Sequence, residues 1–482
     1  MTLARNSIYA LAGQVVPLLV ALATIPYFLE LIGAERYGAL ALAWLILGYF
    51  GSADFGIGRA ITQRIAAMRG EAAGDMATAV WSALVTMLFF SLFGAALLFG
   101  FATWYFANAF AAPEGLRGEA LDAVWILALC NPVVAIIGVL GGALMGLERF
   151  RRVAVSNVAT KSLMLLLPLI LAVSGKVELP LLILASLAAR LLGIAILGSA
   201  VWRQFLRGRS LRFDRAEFLR LAKFGGWIML TTLVGPLMVY ADRFLIGAVM
   251  SAAAVAAYAI PYDIANRTLM LPIAIAQALF PRLAADTDEQ ARHRMRDFTV
   301  FIALLFTPVV VVLVCLAGPL LRLWLGDALD LRSIAVAQLV LAGCWANAIA
   351  NVPYAFIQAR GDPRYTALLH LVELPVYVTL LAILGLRFGL AGFAAAFALR
   401  CALDCVLLLR RAHTLDALTL RSISAPFLLV ALALAAGYST SAPQALVIVA
   451  LALGTVALAL LLLRPPASVR EELAHLPLRW RR

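Results

Sequence analysis

Residues 28–38 read Phe28-Leu29-Glu30-Leu31-Ile32-Gly33-Ala34-Glu35-Arg36-Tyr37-Gly38, and at an offset near 217 the chain reads Phe244-Leu245-Ile246-Gly247 and continues through Ser251 to Tyr258. Each stretch follows an apolar run interrupted by a proline, Pro17 in one case and Pro236 in the other. A second match, at an offset near 215, pairs Gly146-Leu147-Glu148-Arg149-Phe150 through Asn157 with Ala359-Arg360-Gly361-Asp362-Pro363-Arg364-Tyr365. Two matches at nearly one offset indicate an internal duplication. The offset spans an even number of apolar runs, so the halves share one orientation, the parallel-repeat arrangement with its axis along the membrane normal.

Outward from these matches the chain is apolar almost throughout. Of 482 residues, 64% are hydrophobic and 13% are charged, against about 25% charged in a soluble domain. Runs of about 20 apolar residues suffice to cross a bilayer. They begin near Ile8, Tyr37, Ala77, Leu121, Val153, Leu179, Phe224, Ala252, Phe298, Ile334, Tyr365, Gly389, Ile423 and Gln444. The expected fold class is therefore an all-α polytopic membrane protein of about fourteen transmembrane helices, with two six-helix lobes and two further C-terminal helices. The expected division is 1–206 for the first lobe, 207–223 for a basic cytoplasmic linker, 224–412 for the second lobe, and 413–482 for the extra helices and a basic tail. Ala21-Leu22-Ala23 fits a signal-peptidase pattern, but the run before it carries Asn6, Gln14 and Pro17, unlike a plain signal core.

Basic residues orient the spans. Of 39 Lys and Arg, the fourteen-span reading puts 27 on the side of the N-terminus, six on the other side and six within spans. Positively charged loops stay cytoplasmic, so both termini are expected there. The same clusters explain the net charge of +13 without nucleic acid as a partner. The loops are too short for a soluble catalytic domain, which excludes most enzyme classes. Cys130, Cys315, Cys344, Cys401 and Cys405 all fall in apolar runs and read as small buried hydrophobes. His293, His370, His413 and His475 read as lacking partners at metal-ligand spacing, so no metal and no cofactor are expected.

Ionisable groups inside spans are the informative residues, since each is tolerated only against a cavity or a partner. The cations are Arg59, Lys161, Arg190, Arg243, Arg267 and Arg400, and the acids are Asp54, Asp242, Asp263, Glu373 and Asp404. Asn6, Gln14, Asn131, Tyr240, Asn266, Asn347, Asn351 and His370 are polar companions that could line a cavity. Asp263 and Arg267, and likewise Arg400 and Asp404, are spaced to share a helix face. The second pair reads as mutual neutralisation; the first, with Asn266 between Pro261 and Pro272, reads as functional. Around Asp54, the glycines Gly51, Gly56 and Gly58 could break the helix or serve close packing. Lys161 and Arg190 have no acid three or four residues away. Surplus cations suit an anionic ligand, and arginine suits phosphate through paired hydrogen bonds.

Asn6 with Pro26 and Gly33-x-Glu35-x-Tyr37-Gly38, then Asp54-Phe55-Gly56-Ile57-Gly58 and Arg64, resemble the polysaccharide transporter family, the O-antigen flippases of the multidrug/oligosaccharidyl-lipid/polysaccharide exporter superfamily. Asp242-Arg243-Phe244-Leu245-Ile246-Gly247 with Tyr258, and Gln358-Ala359-x-Gly361 followed by Glu373, resemble its later signatures. The resemblance implies a two-lobed transporter, not an enzyme, that moves an undecaprenyl-diphosphate-linked oligosaccharide to the periplasmic leaflet. It implies a cationic cavity of Arg59, Arg267, Lys161, Arg190 and Arg243, with Arg59 and Arg267 foremost. Asp54, Asp242, Asp263 and Glu373 are the carboxylates available for proton or ion coupling, there being no P-loop. The expected partners are the lipid-linked glycan, membrane lipid, and the glycan polymerase and chain-length proteins of the same pathway, with the transporter itself a monomer. A drug antiporter, a lipid II flippase of the same superfamily and, more remotely, a membrane-embedded polymerase are the alternatives.

Overall fold

Fourteen α-helices and no strand occur among the described residues of the computed structural model. It describes 3–52, 56–68, 73–414 and 417–437; side chains are described there except at 3–12, 51, 52, 73, 221–236, 417–422, 436 and 437. Among the described residues, eight helices are long and apolar enough to cross a membrane, and a ninth span arises if a bent pair counts as one. The chain is thus an all-α, multi-pass membrane protein. Lipid replaces water as the solvent of its flanks, so large apolar side chains stand exposed: Phe89 at 63%, Leu323 at 85% and Leu386 at 72%. The expected span near Gln444 and the side chain of Asn6 lie outside the described residues, as does Asp54.

Two units make up the chain, Met1–Ala256 and Ala257–Arg482. In the first, α1 (Leu3–Ser52) holds two of the expected spans joined at Gly33, whose φ of 75° breaks the helix. Helix α2 (Ile57–Ala67) starts after Gly56 in a left-handed conformation (φ 64°), so the glycine cluster around residue 54 does mark a helix break. Then follow α3 (Ala73–Trp104), the short α4 (Glu114–Asp122), α5 (Val124–Gly146), α6 (Phe150–Val173), α7 (Leu179–Val201) and α8 (Arg215–Val249). Helix α8, whose first nine residues fall within the expected 207–223 linker, packs on α1, α2 and α3. The start of α8 is capped by Asp214, which accepts from the Ala216 amide at 2.7 Å.

Glycines also set how closely α2 and α5 approach. A Cβ on Gly142 would collide with the Gly58 carbonyl oxygen and stand 3.0 Å from both Ile61 Cγ2 and Thr62 Oγ1. Thr62 Oγ1 lies 2.8 Å from the Gly58 oxygen and 3.0 Å from the Gly142 oxygen. Alanine would gain up to about 1 kcal/mol of helix propensity, but forced separation of packed helices costs about 1–3 kcal/mol. Gly142→Ala is therefore expected to lower the thermal midpoint of the detergent-solubilised protein, followed by tryptophan fluorescence; an unchanged midpoint would show that the α2–α5 contact yields freely.

The second unit contains most of α9 (Ala252–Arg267), then α10 (Met270–Ala285), α11 (Asp288–Leu325), α12 (Arg332–Ala359), α13 (Pro363–Arg411) and α14 (Ala417–Gly437). Helices α9 and α10 form the bent pair, meeting at 41° across Thr268 and Leu269. Helix α11 begins with a capping box in which Thr287 and Gln290 satisfy each other's amides. Within α13, Gly389 has φ 59° and ψ −140°. His370 and Asp404 flank that glycine, and in a straight helix they would stand roughly 50 Å apart at 1.5 Å per residue. Their side chains lie 4.0 Å apart, so the chain reverses at Gly389 and α13 comprises two antiparallel spans, as the separate runs at Tyr365 and Gly389 predict.

Candidate functional site

Among the described residues, each unit holds a polar centre inside its apolar helices. In the first unit it is Arg190, eleven residues into the 23-residue α7 and only 7% exposed. Its Nη1 donates to the Ser186 carbonyl at 3.0 Å, one turn back, and its Nη2 lies 3.2 Å from Met164 Sδ of α6. Ser186 is itself held by Trp44 of α1, whose indole donates to Ser186 Oγ at 3.1 Å. No carboxylate pairs with Arg190 among the described residues. A buried cation without a counterion is a strongly disfavoured arrangement in hydrocarbon, and three of its five N–H donors are not used by these two bonds. Lys161 stands one turn before Met164 on α6 and is exposed, so the two cations that lack an i+3 or i+4 acid flank the same α6–α7 contact.

The other first-unit candidates differ in setting. Arg59 is exposed in the first turn of α2, and Gln14 is exposed on α1. Arg243 and Asp242 are 3% and 0% exposed respectively. Arg243 binds the Val239 carbonyl at 2.9 Å and lies 3.8 Å from Asp242, which accepts from the Arg243 amide at 2.8 Å. These two charges are thus tied to each other and to their own helix. Asn131 donates to the Ser91 carbonyl at 3.0 Å while its Oδ1 has no partner. Tyr240 meets Tyr49 edge to face, with centroids 6.5 Å apart.

The second unit gathers a denser cluster. Reversal at Gly389 brings His370 and Glu373 from the first span of α13 against Asp404 from the second, with one ligand atom of each within 4.8 Å of the others. Glu373 is 2% exposed and neither of its carboxylate oxygens has a hydrogen-bond partner; Asp404 Oδ1 also lacks one. The Tyr354 ring of α12 stacks on His370 with centroids 5.9 Å apart and planes at 10°. Asn351, one turn before it, donates to the Asn347 carbonyl at 2.8 Å, so Asn347, Asn351 and Tyr354 form one face of α12 at helical spacing.

Arg400 closes the cluster in an unforeseen way. Its guanidinium lies over Tyr377 and Phe397, 5.3 and 5.6 Å from their centroids, and contacts Cys401 Sγ at 3.3 Å. No salt bridge joins it to Asp404, so the expected direct neutralisation at i and i+4 gives way to cation–π contacts. With Glu373 and Asp404 ionised and Arg400 positive, the cluster is one positive charge short of balance. The reading of the histidines is corrected here: His370 has carboxylate neighbours in Glu373 and Asp404. Its spacing of three residues from Glu373 was the available signal; Asp404 was invisible because only the reversal brings it near.

Asp263, Asn266 and Arg267 are exposed on the last turns of α9, beside the bend into α10. The proline-flanked cluster therefore sits at a broken helix, as the sequence suggested for the region near Asp54.

Comparison with known proteins bears on the family and the fold. A family model described as "Polysaccharide biosynthesis protein" covers residues 30–330, a segment that includes Arg59, Lys161, Arg190 and Arg267. A Shigella flexneri protein named "Putative O-antigen transporter" is 29% identical over 416 residues, 85% of this chain and 97% of its own. The structure of the lipid II flippase MurJ in an inward closed conformation aligns with a TM-score of 0.70 at 13% identity, over 93% of this chain and 98% of its own. An inward-facing multidrug resistance MATE family transporter of the MOP superfamily aligns at 0.64 with 15% identity, over 86% and 98%. At such identities the two structures establish the fold, which flippases and drug transporters share. The family rests on sequence, since the matched segment exceeds half of the 482 residues: the chain belongs to the polysaccharide biosynthesis protein family.

Proposed function

We propose that this protein is a flippase that carries an undecaprenyl-diphosphate-linked oligosaccharide across the bacterial inner membrane, from the cytoplasmic to the periplasmic leaflet, by alternating access. Both termini are cytoplasmic in this reading, following the charge distribution. The single observation that carries it is Arg190, a cation buried at mid-span with no acid beside it among the described residues. Such a group favours a multiply charged anion, and the diphosphate of a lipid-linked glycan is one that arginine binds through paired hydrogen bonds. The likeness to a protein named as an O-antigen transporter points to the same cargo class. Energy enters by a proton or cation at the His370–Glu373–Asp404 cluster. The glycan polymerase and chain-length proteins of the pathway are the proposed partners of a monomeric transporter.

The test is complementation of a bacterium that lacks its flippase and is supplied with this protein's own glycan pathway, reading surface glycan and accumulated lipid-linked precursor together. Restored surface glycan with no trapped precursor is the expected outcome. Correct membrane insertion with the precursor still trapped would move the assignment to the drug-antiporter or lipid II reading.

A further inference from the structure

We propose that the cleft between the start of α6 and the end of α7 binds the phosphate headgroup of an anionic phospholipid. The cleft, of about 330 Å³, is lined by Arg151, Arg152, Val155, Ile196 and Ala200. Two kinds of lining meet in it: the arginines in the first turn of α6 and the aliphatic side chains of Val155, Ile196 and Ala200.

Arg149, Arg151 and Arg152 cluster at the N-terminus of α6, whose first turn holds no acid and whose N-cap makes no side-chain bond. Cations at a helix N-terminus oppose the macrodipole, and among the described residues none of the three arginines donates to an acid. Counting Glu148 in the preceding turn, residues 148–152 still carry a net charge of +2. An external anion removes both penalties, and the phosphate oxygens match the arginine donors.

The apolar wall selects a lipid over a free anion, because Val155, Ile196 and Ala200 offer inorganic phosphate nothing and offer the first methylenes of an acyl chain a dry contact. Position agrees. The ends of α6 and α7 that form the cleft are the cytoplasmic ends by the positive-inside pattern, where the leaflet is anionic and basic pockets between spans hold lipid headgroups. Trp202, 51% exposed, follows directly on α7 at the depth where tryptophan anchors spans. Lys161 is on α6 too, but by helix geometry it projects roughly 120° round the axis from the cleft-lining residues. The cleft is therefore separate from the substrate cations, and its lipid is a resident one.

The experiment uses the full-length protein in a neutral detergent, with phosphatidylglycerol and phosphatidylcholine titrated separately and lipid adducts counted by native mass spectrometry. Wild type is expected to retain phosphatidylglycerol over phosphatidylcholine. Arg151→Ala/Arg152→Ala should weaken phosphatidylglycerol by about tenfold or more and leave phosphatidylcholine unchanged. Val155→Trp, which fills the cleft and keeps the charge, should weaken it as well. Arg292→Ala/Arg296→Ala removes equal charge on α11 and should have no effect. Equal loss from that control variant, equal retention of both lipids by wild type, or displacement of phosphatidylglycerol by stoichiometric undecaprenyl diphosphate each overturns the proposal. The arginines are exposed, so folding is expected to survive; an unchanged thermal midpoint confirms it.

Discussion

Arg190→Ala is expected to leave the lipid-linked precursor on the cytoplasmic side, with surface glycan reduced at least 100-fold, while the protein inserts and folds as well as wild type. Two opposing magnitudes make this outcome diagnostic. Removing one partner of a buried ion pair destabilises by about 3–5 kcal/mol because it strands the other charge. Arg190 has no acid partner among the described residues, so alanine strands no carboxylate there and relieves the desolvation of a guanidinium. A loss of several bonds to a diphosphate, at about 1.5–3 kcal/mol each for charged groups, accounts for the transport defect. Arg190→Lys keeps the charge but not the planar fork and should recover part of the transport. The measurement pairs surface glycan and trapped precursor with a thermal midpoint. A variant that loses transport only in proportion to lost folded protein would assign Arg190 a structural role.

Glu373→Gln is the second large effect. The carboxylate lies buried with both oxygens unpartnered, within reach of His370 and Asp404, and its amide analogue keeps the shape but neither takes up and releases a proton nor holds a cation. In proteoliposomes carrying an imposed proton or sodium gradient, gradient-driven movement of a lipid-linked glycan is expected to fall at least 100-fold. Binding of the glycan should persist, because the residue belongs to the coupling cluster and not to the cationic one. Replacing an unpartnered buried charge by a neutral isostere should also leave stability unchanged or raised. Undiminished gradient-driven transport in Glu373→Gln would remove the cluster from the mechanism. Asp404→Asn, tested in parallel, shows which carboxylate carries the exchange.

Residue by residue, the sequence was legible where the physics is local. Partition into lipid depends on the composition of each run, so the runs from Ala77, Val153 and Leu179 lie in α3, α6 and α7, the run from Leu121 passes from the end of α4 through α5, and the all-helical membrane fold follows from them. Gly33, Gly56 and Gly389 stand where helices break, since a positive φ costs glycine no steric clash. Lys161 and Arg190 read as cations without a local acid, and the structure leaves Arg190 without one among the described residues. Pairing across the fold was not legible. Asp242 and Arg243 look free by helical spacing because they are adjacent, yet they hold each other. Arg400 and Asp404 look paired by spacing, yet aromatic faces take the guanidinium.

By itself, then, the chain's pattern of apolar runs, prolines, glycines and basic loops determined that it is a multi-pass helical protein, and which embedded charges call for explanation. The tertiary structure decided what those charges do. Reversal at Gly389 brings His370 and Glu373 to Asp404, and the packing of α1, α6 and α7 leaves Arg190 with a carbonyl and a thioether in place of an acid. Transfer into lipid is a sum over neighbouring residues, whereas the energy of a buried charge is fixed by groups within a few ångströms in space, and those come from distant parts of the chain.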